Sequence, residues 1–483
     1  MVFNLTSNYN MKKIYALLLC GILMTATSCS DFINLTPTHS LSSENVFGKL
    51  DDFEPLLNGT YASMRDLYSY GLFTSVAADM MSDNMIETTE SLVNYKAVTD
   101  WTYAADQIRV AEVWRFSYLM INDCNLILEN IGTYEASAPK KASRIKGQAL
   151  AIRALMHHNL LRFYAPNFER ASASAGVPIK LTSAIDLPAR ATVQQVYDQI
   201  YKDLEAALLL LNDVDAPINT ATRRSRIDAA TVNAILARVA LYAKEYDRAI
   251  TFATAAIGAR PLATRANFPG IWTDANADEV FFSIQFNPGE GGPALDVWSP
   301  AINRAQFDPS SDLLALYDRT NDIRFTSYFT PGANVPGAVI RAARTVSTKY
   351  QGKATARDGA VNFKAFRTGE MFLIRAEARA LSNRAVDALA DLNTLRAARI
   401  TGYTPGTETG QALTDAIATE RRKELWLEGH RWFDLKRTTR IVNRVNCRAG
   451  VVCSLPANSR SWAWPIPQNE RLANPGITQN EGY

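Results

Sequence analysis

Leu236-Ala-Arg-Val-Ala-Leu-Tyr-Ala-Lys-Glu-Tyr-Asp-Arg-Ala-Ile250 is the stretch on which the fold turns. Apolar residues recur at three- and four-residue spacings on both sides of Lys244-Glu245, the pattern of two amphipathic helices joined by a tight turn. Ala237 supplies a small contact position in the first helix, Ala249 and Ala256 do so in the second, and Pro261 closes the unit. Small side chains let paired helices approach closely, while Leu236, Tyr246 and Ile250 fill the groove between them. The same spacing returns 139 residues on, where Ala376 stands twelve before Ala388 as Ala237 stands twelve before Ala249. A looser pair combines 145–164 with 196–211, and 113–131 starts a fourth. Copies so far apart make an interrupted array, with a generic helical bundle as the bland alternative.

These pairs resemble the tetratricopeptide repeat, and helical periodicity dominates the rest of the chain. It predicts helices over 110–131, 142–164, 192–211, 229–243, 246–257, 371–381, 385–399 and 413–435. Strand-like runs are few, the best being Glu279-Val-Phe-Phe-Ser-Ile-Gln-Phe286. Between about 258 and 368 the chain is rich in Pro, Gly and Asn, which reads as a long insertion of loops and short strands. The fold class is therefore all-α dominated: four interrupted helix pairs with a loop-rich insertion.

With 483 residues, 47% hydrophobic and 20% charged, the chain has ordinary globular values, so wholesale disorder is excluded. The net charge of +3 falls to +1 if Lys12 and Lys13 leave with a leader, so no electrostatic footprint for nucleic acid exists. Such a leader is expected. Met11-Lys12-Lys13 opens a positive region, the apolar run 14–24 is too short to span a bilayer, and Ala26-Thr27-Ser28 places small residues before Cys29. Cys29 at the first mature position resembles a bacterial lipobox, and several acyl chains there would make a stable membrane anchor. Cys124 reads as a core residue. Cys447 and Cys453 bracket Arg-Ala-Gly-Val-Val in a loop and suit a short disulfide in an oxidising compartment.

Motifs for chemistry are missing. The four histidines, His39, His157, His158 and His430, form no HExxH and no His/Cys cluster. Gly289-Glu-Gly291-Gly-Pro-Ala294 matches GxGxxA loosely, but Pro293 and the lack of a following helix exclude a dinucleotide loop. Neither a phosphate-binding GxxxxGK[ST] nor a GxSxG elbow occurs, so no cofactor or metal is expected. A carboxylate pair for glycoside hydrolysis is the enzymatic alternative, since spacing alone never excludes one.

The strongest string is Glu420-Arg-Arg-Lys-Glu-Leu-Trp-Leu-Glu-Gly-His-Arg-Trp-Phe-Asp-Leu-Lys-Arg437. On a continuous helix Glu420 would face Lys423, Glu424 would face Arg421, Glu428 would face Arg431, and Asp434 would face Arg431 and Arg437. This predicts a half-buried scaffold helix, not a catalytic one. At these residues the sequence resembles the SusD/RagB family of Bacteroidota outer-membrane lipoproteins, whose "ERRxEL…EGxRxxDLxR" signature it follows almost residue for residue. Trp464-Pro-Ile-Pro-Gln468 to Asn474-Pro475 and Gln479-Asn480-Glu-Gly-Tyr483 are similar to the family's ending. Cys29-Ser-Asp-Phe, Pro37 and Leu57-Asn-Gly-Thr-Tyr61 are similar to its head, and Gln148-Ala-Leu-Ala-Ile-Arg153 and Asp278-Glu-Val-Phe-Phe282 fall in family order between them.

The resemblance implies a cell-surface glycan-binding lipoprotein without enzymatic activity, partner to a SusC-like TonB-dependent outer-membrane transporter. Peptide or other non-sugar cargo is the alternative. It divides the chain into a signal peptide (1–28), a lipidated tether (29–45), an N-terminal helical region (46–257) and a C-terminal region with the insertion (258–483). Sugars stack on flat rings and need planar donors and acceptors for their hydroxyls. Trp114, at helical spacing with Tyr118 and Ile121, reads as core, and Trp272 as structural. Loop residues are the expected ligand contacts: Asp79, Asp83, Asn84, Trp101 and Tyr103 before the first clear helix, and Trp298 in the insertion.

Overall fold

The computed structural model describes residues 47–295, 297–299, 304–332, 344–352, 359–448 and 450–483, with no side-chain description at 298, 299 and 304. The leader, Cys29 and the tether lie outside the described residues. Residues 47–52 form a short unit of their own with one 3-10 turn, Leu50–Asp52.

The body, 53–483, is built on helices α1 (Phe53–Ser63), α2 (Ile108–Asn130), α3 (Pro139–Tyr164), α4 (Val193–Leu211), α5 (Ala229–Tyr242) and α6 (Tyr246–Ala259). After the insertion come α7 (Thr368–Leu381), α8 (Ala385–Arg399), α9 (Gly410–Glu424), α10 (Arg431–Arg437) and α11 (Gln468–Ala473). Neighbours in sequence pack against each other as antiparallel pairs: α2 with α3, α3 with α4, α5 with α6, α7 with α8. The insertion interrupts the chain but not the stack, because α6 packs directly on α7. No helix among the described residues is long and apolar enough to cross a membrane.

The helix ends follow from local chemistry. Thr192 and Gln195 form a reciprocal capping box at the start of α4, and the Asp228 carboxylate accepts from Thr231 N at 2.9 Å before α5. The small contact positions are buried as their spacing requires: Ala237, Ala249, Ala256, Ala376 and Ala388 are all inaccessible. Ala376 and Ala388 join Leu392 of α8 with Leu413 and Ile417 of α9 in one apolar cluster. Gly147 does similar work in α3, since a Cβ there would sit 2.7 Å from Leu211 of α4.

Among the described residues the strands make five two-stranded antiparallel sheets. The 279–286 run forms a strand over Val280–Ile284, paired with Phe363–Arg367 across the insertion. Trp272 is buried by Phe268, Tyr328 and Tyr350, with the Lys349 ammonium 3.8 Å above its ring, in the structural role expected of it.

One helix departs from expectation. The 413–435 periodicity breaks at Glu424, and the chain turns through Leu427 (φ 58°) and Gly429 (φ 82°) before α10 resumes. A Cβ on Gly429 would lie 2.5 Å from the Thr74 carbonyl, so only glycine fits this turn. The turn redirects the charges. Glu428 binds Lys349 at 2.6 Å and Arg367 at 2.6 Å, not Arg431. Glu424 binds Arg324 and Arg399, not Arg421, while Asp434 keeps Arg437 (2.9 Å) and takes Arg421 (2.8 Å) in place of Arg431. Helical spacing predicts partners only while the helix lasts.

Candidate functional site

The loop residues expected to meet ligand are mostly structural in this state. Asp79 is inaccessible, accepts from Asn84 Nδ2 at 2.7 Å, and is pushed up to about 7 by burial. Asn84 is also buried, its Oδ1 accepting from Arg422 Nε at 2.7 Å. Asp83 takes a fork from Arg431, Nε and Nη2 each at 2.7 Å, with Arg422 at 3.4 Å. Burial would raise its carboxyl, but the Arg431 hydrogen bonds and both guanidinium charges outweigh that and hold it below the ordinary range.

Trp101 is 4% exposed, donates from Nε1 to Met81 O at 2.9 Å, and has the Arg444 guanidinium 4.2 Å over its face. Tyr103 is 1% exposed, donates to the Ser461 carbonyl and packs 5.4 Å from Trp464. Neither ring offers a face for stacking, because the C-terminal segment 444–464 covers both. Trp298 lies in a short strand paired with Arg304–Ala305, and its side chain is outside the described residues.

The Asp83 fork yields a testable energy. Arg431→Ala leaves Asp83 with only the longer Arg422 contact. We expect a loss of about 2–3 kcal/mol in denaturant unfolding, less than the ~3–5 kcal/mol of a fully buried pair broken on one side. An unchanged midpoint would show the fork to be energetically neutral.

Among the described residues no group of three His, Cys, Asp or Glu could hold a metal ion. In this structure Cys447 and Cys453, the expected disulfide pair, are both free thiols. Each points at a nearby carbonyl, Cys447 Sγ at Arg444 O (3.6 Å) and Cys453 Sγ at Val451 O (3.4 Å). Burial, with the neighbouring Cys453, pushes the Cys447 thiol up to about 11.

Two concavities remain as candidates. The smaller, about 150 Å³, is lined by Asn58, Tyr61, Arg65, Arg226, Gln285 and Asn287. Its two rings are already taken, since the Arg226 guanidinium lies 4.3 Å over Tyr61 and the buried Phe282 packs edge-on against Tyr61 at 5.9 Å. The larger, about 330 Å³, opens between α2, the loop around 178–188 and α11. Trp114 and Tyr118, one turn apart on α2, form its apolar wall, with ring centroids 5.0 Å from each other. Tyr118 is fixed by donating to Pro178 O at 2.7 Å, and Asn474 by donating to Pro188 O at 3.0 Å. Lys180 is held by Asp186 and by Ala184 O at 2.5 Å.

Glu470 faces this pocket with no cation in ion-pair range among the described residues. Burial raises its carboxyl above the ordinary range, partly offset by a hydrogen bond from Trp114. The rim carries Leu119 and Leu187, the latter at 60% exposure. Ring faces, a carboxylate, an amide and a Lys–Asp pair in one enclosure are the groups a pyranose requires. The sequence places Trp114 in the core, which is right for most of its surface. It gives no sign that residues 470–477 fold back beside it to leave a pocket.

Comparison with known proteins covers most of the chain. Residues 31–241 match a family model described as "Starch-binding associating with outer membrane", and residues 326–483 match the SusD family model. The chain is similar to SusD-like protein P2 of Formosa agariphila, 26% identical over 98% of this chain and the whole of that protein. Among solved structures it is similar to a SusD superfamily protein of Bacteroides thetaiotaomicron, 27% identical, covering 89% of this chain and 99% of the other, TM-score 0.79. A SusD superfamily protein of Bacteroides vulgatus is 25% identical over 90% of this chain and 99% of its own, TM-score 0.76.

Proposed function

The chain belongs to the SusD/RagB family, and from that premise we propose that it is a non-catalytic, lipid-anchored cell-surface protein that captures oligosaccharide and delivers it to a SusC-like TonB-dependent transporter. The observation that carries the glycan reading is the pocket in which the half-buried Tyr118 ring, backed by the buried Trp114, stands opposite Glu470 and Asn474. The flat Tyr118 ring matches the apolar face of a sugar, while a carboxylate that meets no cation among the described residues and a fixed amide match its hydroxyls. The matched family's description, starch-binding and associated with the outer membrane, supports the same class of ligand and location. Trp298 in the insertion is a proposed second contact.

Tyr118→Ala should weaken glycan binding by about 1–3 kcal/mol, the scale of one lost stacking ring. Calorimetry against candidate oligosaccharides reads this directly. Release of new reducing ends from the glycan would replace the binding reading with a hydrolase. Undiminished affinity in the variant would move the ligand away from this pocket.

Anchoring is tested separately. Cys29→Ala should release the protein from the outer-membrane fraction, because its acyl chains would have no attachment point. A variant that still pellets with membranes through a salt wash would remove the lipid anchor from the proposal.

A further inference from the structure

On another face of the stack, a cavity of about 220 Å³ lies between the C-terminal end of α3, the α5–α6 turn and the end of α10. Lys244, Lys436, Arg437 and Arg440 line it, with Tyr242 and Glu169. Two of these charges are neutralised in place: Lys244 pairs with Glu169 at 3.2 Å, and Arg437 pairs with Glu377 and with Asp434. The others are not. Lys436 is 4% exposed, donates to the carbonyls of Arg162 and Ala165, both at 2.8 Å, and lies 4.4 Å over the Phe168 ring, with no carboxylate in reach among the described residues. Arg440 reaches Pro166 O at 3.3 Å, and its Nε–H has no acceptor among the described residues. Behind them Arg162, 2% exposed, donates to the Asn159 amide and lies 4.3 Å over the Phe433 ring, again without a carboxylate.

Two neighbouring guanidiniums, Arg162 and Arg440, thus share no anionic partner among the described residues, and burial, with those two charges beside it, pushes the Lys436 ammonium well below the usual lysine range. The last carbonyls of α3 supply roughly half a negative charge, which offsets one of them in part. Buried charges are ordinarily paired, because an unpaired one keeps most of its desolvation cost. Glu169, the one acid on the cavity wall, is already committed to Lys244.

From this imbalance we infer that the cavity is an oxyanion site, taking a sulfate, phosphate or carboxylate group that is either a free ion or a substituent on a larger ligand. Lys244 and Arg440 form its accessible edge, and Lys436 forms its floor. The inference does not rest on the Trp114 pocket, which lies elsewhere.

The full mature chain is titrated calorimetrically with sodium sulfate against sodium chloride at equal ionic strength, then with galactose 6-sulfate and with galactose. Saturable millimolar or tighter binding of inorganic sulfate is expected, with at least a tenfold loss in Arg440→Gln. Lys244→Gln, at the exposed edge, gives a second variant whose folding is not in question, and a several-fold loss is expected there. Galactose should not bind at this site. Tighter binding of galactose 6-sulfate than of sulfate assigns the anion to a saccharide; the reverse order assigns it to a free ion. No saturable sulfate binding by the unsubstituted protein overturns the inference, as does equal binding by both folded variants.

Discussion

Glu424→Gln should destabilise the protein by about 3–5 kcal/mol or more in equilibrium unfolding. Glu424 is inaccessible and binds three arginines: Arg324 at 2.9 Å, Arg399 at 3.0 Å, and Arg367. Glu279 shares two of them, with Arg367 at 2.9 Å and Arg399 at 2.8 Å. Removing one charge leaves five buried cations, Arg324, Arg367, Arg399, Lys349 and Lys423, sharing four acids, Glu279, Glu428, Asp322 and Glu420. Burial pushes the Glu424 carboxyl up, but Arg399, Arg367 and Arg324 win and hold it well below 4.5. A depressed acid contributes its stabilisation in full above its unfolded value and loses it as pH falls through the folded one. The gap between wild type and variant should therefore be widest at neutral pH and close only in strong acid. A variant that unfolds at the wild-type denaturant midpoint at pH 7 would show the cluster to be replaceable.

Trp101→Ala should cost about 3–5 kcal/mol of stability, the range for deleting a large buried ring, with glycan affinity of the folded protein unchanged. The ring fills space under Arg444, whose guanidinium also donates to Ser82 O (2.9 Å), Thr99 O (2.8 Å) and Met80 O (3.0 Å). Losing the ring leaves that guanidinium without its stacking surface and frees the Met81 carbonyl. A direct ligand contact would behave in the opposite way, with binding weakened at unchanged stability. Parallel denaturation and calorimetry on one preparation separate the two, and lost binding at full stability would restore Trp101 to the ligand surface.

The sequence by itself determined the helix pairs. The alanine spacing at 237/249 and 376/388, the capping residues Thr192 and Asp228, and the periodic apolar positions all act within about fifteen residues, where local sterics and burial of one face dictate the outcome. It also determined the family, since the charges of the 420–437 string and the terminal strings occupy fixed offsets along the chain. Only the tertiary structure decided where those charges go. The Gly429 turn sends Glu428 to Lys349 and Arg367, residues 79 and 61 positions away, a pairing no helical spacing contains. Exposure was equally out of reach. Trp101 reads as a loop ring until the 444–464 segment folds over it, whereas Trp114 stays in the core as its spacing predicts, and the cavity beside Tyr118 exists only because residues 470–477 come to rest there. A ring's neighbours along the chain fix its backbone, but the segment packed against it decides whether its face meets water, and that segment can lie more than 300 residues away.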